Sequence, residues 1–179
     1  NIYDKFNLKK KNFILFTYHP SLEKLKKKSL IELKKILLHM IKKNYFVITT
    51  FPGMEFQNNM IKSLFYELKD TKNFKIYPNV GNDDYLNLMK FSKCVVGNSS
   101  SGLVEAPYFK VPTINIGNRQ NGRKKHKSIL DCKLEFHDFK KKFDKLANLS
   151  FLKKIKKMKY MFGKNNVSDK ISNYIINEK

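Results

Sequence analysis

The hexapeptide GNSSSG at residues 97–102 sets a glycine and three serines, with their hydroxyls and consecutive main-chain N–H groups, between an expected strand and an expected helix. Gly97 can take a tight turn, and a helix N-terminus adds the positive end of its dipole, so the assembly suits a phosphate. A plain capped helix uses the same residues, because serine is a favoured N-cap; both readings stand on this segment alone. It is neither a Walker loop nor the GxGxxG fingerprint. Glu105 lies four residues beyond Ser101. From there a carboxylate can reach the ribose hydroxyls of a nucleotide whose phosphates sit on the helix end, although an acid in a first turn is favourable without any ligand. His19 closes the first expected strand in FTYHP, and Pro20 fixes the exit of the chain. An imidazole at that point can donate to a phosphate, titrate near neutrality, or serve structure only. His39, inside a long helix, reads as structural or surface, and His126 and His137 have no site-like setting. Tyr85, just after the turn NVGNDD, can stack on a base or pack beneath a helix. No two carboxylates stand out as an acid/base couple; Asp83 and Asp84 read as helix caps. Among 37 basic residues only Arg119 and Arg123 are arginine, and both sit in GNRQNGR. Where lysine is the default cation, arginine points to a planar fork gripping phosphate.

The elements that must position these groups follow from hydrophobic periodicity. Strands are expected at residues 12–17, 45–50, 74–77, 94–96 and 113–116. Helices are expected at 22–43, from about 56 to 68, from Asp83 or Asp84 through Met89, and at 101–108. In the longest helix Leu25, Leu30, Leu33, Leu37 and Ile41 recur at roughly helical spacing with lysines opposite. Beyond Asp138 the pattern is lysine-rich and helical, broken at Gly163. Strands that are apolar throughout and alternate with helices predict an α/β domain, a parallel sheet with helices on both faces. The turn residues at 19–20, 52–53, 78–81, 97–98 and 117–118 each follow a strand, so all fall on the carboxyl edge of the sheet, where open α/β folds bind ligands.

Composition bounds the rest. At 179 residues the chain fits one domain with a proper core, and 41% apolar content with 15 Phe and 9 Tyr excludes a disordered chain. No apolar run approaches the ~20 residues needed to span a bilayer. No segment has a signal-peptide layout, so a cytoplasmic location without membrane attachment is expected. The start at Asn1 rather than Met leads to the expectation of a fragment. Cys94 and Cys132 offer neither metal spacing nor a disulfide framework. The net charge of +22 raises a nucleic-acid or anionic-membrane partner. The lysines are spread over the whole chain, travel with Asn and Ile, and are not interleaved with aromatic platforms. Compositional bias therefore explains the charge, and no nucleic-acid partner is expected.

In the order TYHP, FP, GNSSSGLVEAP, VPTINIGNRQNGR and SILDC, closing on MFGKNNVSDKI, the chain resembles the C-terminal half of the hydrolysing UDP-N-acetylglucosamine 2-epimerases of sialic acid synthesis. It is similarly close to relatives acting on the diacetamido sugar that leads to legionaminic acid. GNSSSG joined to GxRQxGR is the specific part, and the resemblance extends over nearly the whole chain. It implies a Rossmann-like sheet forming the C-terminal domain of a glycosyltransferase-B-like fold, residues 1–179 being one UDP-binding domain. It implies UDP-sugar as substrate, no cofactor, no metal, and elimination of UDP to a glycal followed by hydration to the 2-epimer, N-acetylmannosamine in the sialic acid case. Matched motif by motif, His19 contacts phosphate and is the one catalytic candidate of the chain. Ser99, Ser100 and Gly102 cradle the diphosphate, Glu105 binds the ribose, Arg119 approaches the phosphates, and Tyr85 with the Val80 backbone holds the uracil. The sequence departs from the family at Gly53, where an Asn is usual after the proline, at Asn118 in place of Asp, and at Lys164 in place of an acid. The catalytic acids lie in the family's N-terminal domain, so the expected partner is that domain, in cis or in trans, and the chain alone is expected to be nearly inactive; a homo-oligomer stays open. A UDP-sugar-dependent glycosyltransferase domain and a basic polyanion-binding domain are the alternatives.

Overall fold

A run of apolar residues buried on both faces has one economical solution, a parallel sheet between two helical layers, and the chain adopts it. The computed structural model describes residues 1–8, 12–20, 26–53, 58–163 and 166–178. Six parallel strands, β1 (Phe13–Thr17), β2 (Phe46–Thr50), β3 (Phe74–Tyr77), β4 (Cys94–Gly97), β5 (Thr113–Ile116) and β6 (Ile129–Cys132), lie in the order β3-β2-β1-β4-β5-β6. The order reverses between β1 and β4, whose register pairs Thr17 with Gly97 at the carboxyl end. This is the switch point at which doubly wound sheets open a crevice.

Alternate strand residues feed two cores. Ile14, Phe16, Val47, Phe74, Val96 and Ile114 pack with α2 (Lys27–Lys42), α3 (Asn58–Glu67) and α6 (Phe136–Asp144). Phe13, Leu15, Ile48 and Val95 pack on the opposite face with α1 (Ile2–Lys5), α4 (Asn82–Phe91) and α5 (Ser101–Tyr108). A 3-10 turn at Lys145–Ala147, α7 (Leu149–Lys157) and α8 (Val167–Asn177) complete the described chain. Among the described residues no helix is long and apolar enough to cross a membrane.

Several expectations need adjustment. The buried stripe of α2 is Leu33, Ile36, Leu37 and Met40, with Leu30 and Ile41 only flanking it; Leu22, Leu25 and Phe56 lie outside the described residues. Asp83 and Asp84 are not caps: α4 starts at Asn82 behind Gly81, whose φ of 74° suits glycine, and the two acids occupy the first helical turn. There they face the positive dipole end, and Asp84 also pairs with Lys5. Neither α1 nor β6 is expected from the pattern. Both cysteines are buried and free, and burial pushes each thiol up to about 12, which leaves them unreactive.

His39 is structural. Its ring stands edge-on to Phe136, Phe139 and Phe143 at centroid distances of 5.3, 6.4 and 5.6 Å, and its buried Nε2 has no hydrogen-bond partner. Burial, with help from Lys43, holds its pKa below the ordinary histidine value. The fold therefore prefers the neutral ring, so the stabilising contribution is complete above about pH 6.5 and is lost as pH falls through that value toward the folded pKa. His39→Leu is expected to flatten this part of the stability profile between about pH 7 and pH 5. Urea titrations at both pH values check it; an unchanged slope would show that another group carries the dependence.

Candidate functional site

The carboxyl ends of β1, β4 and β5 deliver three loops to the switch point, and the side chain of Asn98 ties them together. Asn98 is 2% exposed. Its Oδ1 accepts the His19 backbone N–H at 2.7 Å, and its Nδ2 donates to the His19 carbonyl at 2.8 Å. Its own N–H reaches the Thr17 carbonyl at 3.1 Å. Its carbonyl accepts Gln120 Nε2 at 2.7 Å and one Arg119 guanidinium nitrogen at 3.2 Å. His19 and Arg119, 100 residues apart in sequence, are thereby anchored to one residue at the start of α5.

The close approach of β4 to β1 explains Gly97. With φ at 141°, a Cβ on this residue would stand 1.8 Å from the Thr17 carbonyl oxygen. Gly102 serves a different contact, because its Cβ would meet the Thr113 methyl at 2.9 Å. The Thr113 hydroxyl donates to the Gly102 carbonyl at 2.8 Å, drawing α5 against β5.

Ser100 occupies the N-cap position of α5 but makes no side-chain capping bond, so a simple capped helix does not account for it. The Ser99 hydroxyl takes the local role, accepting the Ser101 N–H at 3.4 Å and the Ser101 hydroxyl at 2.9 Å. The Ser99 and Ser100 N–H groups have no acceptor among the described residues. The Ser100 N–H is an orphan donor of a helix start, and both groups lie at the positive end of the α5 dipole. From Ser99 a chain of hydroxyls continues through Ser101 to Tyr85 at 2.8 Å, Thr17 at 3.2 Å and Thr50 at 3.3 Å. The Tyr85 hydroxyl is thus committed inside the fold, and its half-buried ring, like Val80 of the β3–α4 loop, packs against the core beneath α4 and α5. Val80 itself has no main-chain hydrogen bond within the described residues.

Glu105 sits one turn along α5, about 6 Å from Ser101 by helical rise. Its Oε2 is buried without a hydrogen-bond partner. The carboxylate borders a cavity of about 350 Å³ walled by Leu86, Tyr108, Phe109, Tyr160, Phe162 and Val167. An unmatched carboxylate oxygen is costly in such surroundings, and a ligand carrying hydroxyls would supply what it lacks. A second, more polar cavity of about 630 Å³ opens beside Arg119 and Asn98 and is lined also by Tyr18, Asp131 and Glu135.

The structure brings His19, Ser99, Ser100, Gly102 and Arg119 to one edge, with Glu105 farther along α5. Tyr85 and Val80 come from the neighbouring loop. Lys164 lies outside the described residues. The sequence reading does not single out Asn98 or Gln120, although both are buried at the junction, at 2% and 1% exposure. Asn98 was visible only as a turn residue. The third hidden contributor is Asp131, which accepts Asn115 Nδ2 and Lys125 Nζ at 2.7 and 2.9 Å and so braces β6 against β5 in the cavity that Arg119 also lines.

Fold and site together define a Rossmann-like domain whose loops and α5 N-terminus meet at its switch point. Residues 1–176 match the family described as UDP-N-acetylglucosamine 2-epimerase, and the chain belongs to that family. The GDP/UDP-N,N'-diacetylbacillosamine 2-epimerase (hydrolyzing) of Campylobacter jejuni is 37% identical over 144 residues, which are 79% of this chain and 37% of that protein. The UDP-GlcNAc 2-epimerase of Methanocaldococcus jannaschii, solved with UDP-GlcNAc and UDP, superposes with a TM-score of 0.78 at 19% identity, over 98% of this chain and 48% of that one. Escherichia coli heptosyltransferase WaaC, solved with ADP, shares the fold more distantly, with a TM-score of 0.56 at 12% identity over 76% of this chain and 44% of that one. The fold is the Rossmann-like half of a glycosyltransferase-B-like architecture. The chain spans about half the length of the solved epimerases it matches and a little over a third of the C. jejuni protein.

Proposed function

We propose that this chain holds the UDP part of UDP-N-acetylglucosamine, or of a UDP-diacetamido sugar, in a hydrolysing 2-epimerase completed by an N-terminal domain supplied in cis or in trans. The Asn98 junction carries the reading, because it gathers His19, Arg119 and the open N-terminus of α5 at the switch point. In this reading the Ser99 and Ser100 N–H groups and the α5 dipole receive the diphosphate, and Gly102 lets α5 lie close enough to do so. Arg119 and His19 add charge and a proton donor from the flanking loops, and Glu105 accepts the ribose hydroxyls. The Tyr85 ring and the Val80 main chain border the base.

The proposed reaction removes the C2 proton with a base of the other domain as the C1–oxygen bond to the diphosphate breaks, which leaves a glycal and UDP. Water then adds across C1 and C2 to give the free 2-epimeric sugar, N-acetylmannosamine where the substrate is UDP-N-acetylglucosamine. Negative charge grows on the departing diphosphate, where preorganised donors stabilise the transition state more than the ground state. The chemistry requires no cofactor, and the reading assigns the C2 base to the other domain.

Calorimetry with UDP tests the reading. Arg119→Lys keeps the charge but loses the fork, and Glu105→Gln keeps the shape but loses the carboxylate; each is expected to weaken UDP binding by about tenfold, or ~1.4 kcal/mol. No heat with millimolar UDP and a folded chain would overturn the proposal. An affinity that collapses with salt and ignores both substitutions would instead mark a polyanion binder.

A further inference from the structure

The loop between β5 and β6 makes two sets of buried contacts. Near its start, Arg119 and Gln120 hold the Asn98 carbonyl. Near its end, His126 is 7% exposed and bonds through both ring nitrogens. Nδ1 accepts the Ser128 main-chain N–H at 3.1 Å and lies 2.8 Å from the Ser128 hydroxyl. An accepting Nδ1 leaves the proton of the neutral imidazole on Nε2, and Nε2 stands 3.0 Å from the Lys159 carbonyl oxygen. The ring therefore receives from the turn into β6 and donates to the chain beyond α7. Ser128 is a fixed base for it, being fully buried with its carbonyl accepting the Thr113 N–H at 3.1 Å.

The stretch held by Nε2 has little else to hold it. Among the described residues, the bond at Lys159 is the one hydrogen bond made by 159–163. This stretch carries Tyr160, Phe162 and Gly163 into the wall of the Glu105 cavity. Its other anchors are ring contacts: Tyr160 stands edge-on to Tyr108 of α5 and to Phe162, with centroids 5.3 and 5.6 Å away. Burial, and next the Glu105 carboxylate, raise the Tyr160 phenol above its ordinary value, so the phenol stays protonated beside that carboxylate. Apolar contacts are non-directional, whereas a hydrogen bond fixes distance and angle. The His126 bond therefore sets where the stretch lies.

We propose that His126 is a positioning residue for the nucleoside end of the ligand: by holding the Lys159 carbonyl it sets the Tyr160–Phe162 wall against Glu105. The inference rests on the proposed function. In that reading one loop serves both ends of the nucleotide, with Arg119 at the diphosphate and His126 acting through the wall at the ribose. A ligand that fills only the phosphate end has no need of the wall. A ligand that spans both ends does, and the comparison between the two isolates the role of His126.

The experiment is calorimetry on this chain with UDP and with inorganic pyrophosphate, for the wild type and three variants. His126→Leu removes both ring bonds. His126→Asn can still accept the Ser128 N–H but is too short to reach Lys159, and His126→Gln puts an amide donor where Nε2 stands. The leucine and asparagine variants are expected to bind UDP about fivefold or more weakly and pyrophosphate within about twofold of wild type. The glutamine variant should recover UDP affinity to within about twofold of wild type. An equal loss of both ligands overturns the proposal, because it marks a general loss of folded chain. A glutamine variant no better than the asparagine one overturns it as well, and gives the role to the Ser128 turn. Should the leucine variant not fold, the two amides decide alone. The wild type judges the functional reading separately: a wild type that binds no UDP sinks that reading and this inference with it. A wild type that binds UDP, with all three variants binding alike, loses the role of His126 only.

Discussion

Gly97→Ala is expected to destabilise the fold by about 3 kcal/mol or more and to abolish UDP binding at temperatures where any variant remains folded. The added Cβ would stand 1.8 Å from the Thr17 carbonyl oxygen and 2.6 Å from its carbon. Neither atom can rotate aside, because both belong to the backbone of β1, a central strand of the sheet. The φ of 141° adds strain for any side chain. Relief requires β1 and β4 to separate where Thr17 pairs with Gly97, which is the point from which Asn98 reaches His19. Gly102→Ala provides the contrast. Its Cβ would meet the Thr113 methyl at 2.9 Å, a side-chain atom that a small shift of α5 can relieve, and the expected loss is nearer ~1 kcal/mol. Urea unfolding of the two variants measures the difference. Equal and small losses would mean that the β1–β4 approach is softer than its geometry states.

The parallel sheet between two helical layers was legible because its inner strands are buried on both faces. FILF and CVV carry no charged or amide side chain that would disguise them, and the turns after these strands put ligand residues on one edge. β6 was not legible for the opposite reason: it is an edge strand of four residues, mostly half-buried or exposed, with Asp131 in its middle. Such a segment has neither the run nor the alternation of a strand. α1 is too short for a helical period and is held by its cap, with the Asn1 side chain accepting from Tyr3 and Asp4. At the site, residue type announced Gly97, the serines, Glu105, His19 and Arg119 as candidates. It could not announce Asn98, whose partner His19 is 79 positions away. Nor could it show that the Tyr85 hydroxyl would be used by Thr17 and Ser101. Both facts depend on which loops the strand order brings together.

Asn98→Ala is expected to cost about 2 kcal/mol of stability and at least about tenfold in UDP affinity. The substitution deletes both side-chain bonds to the His19 backbone and leaves its N–H and carbonyl without those partners. Each unpaired buried group costs about 1–3 kcal/mol; His19 is only half-buried, so water recovers part of the loss. The Asn98 carbonyl survives in alanine and still receives Gln120 and Arg119. The stability cost should therefore stay moderate while the first loop, carrying His19, loses its alignment with the α5 N-terminus. Gln120→Leu separates the two effects. It removes the donor to the Asn98 carbonyl but also removes a buried Oε1 that has no partner, so its stability is expected to stay within about 1 kcal/mol of wild type. Urea unfolding and UDP calorimetry on both variants give the four numbers needed. If Asn98→Ala bound UDP as the wild type does, the site would not depend on the alignment of the His19 loop. The serine N–H groups and Arg119 would then have to hold the diphosphate without it.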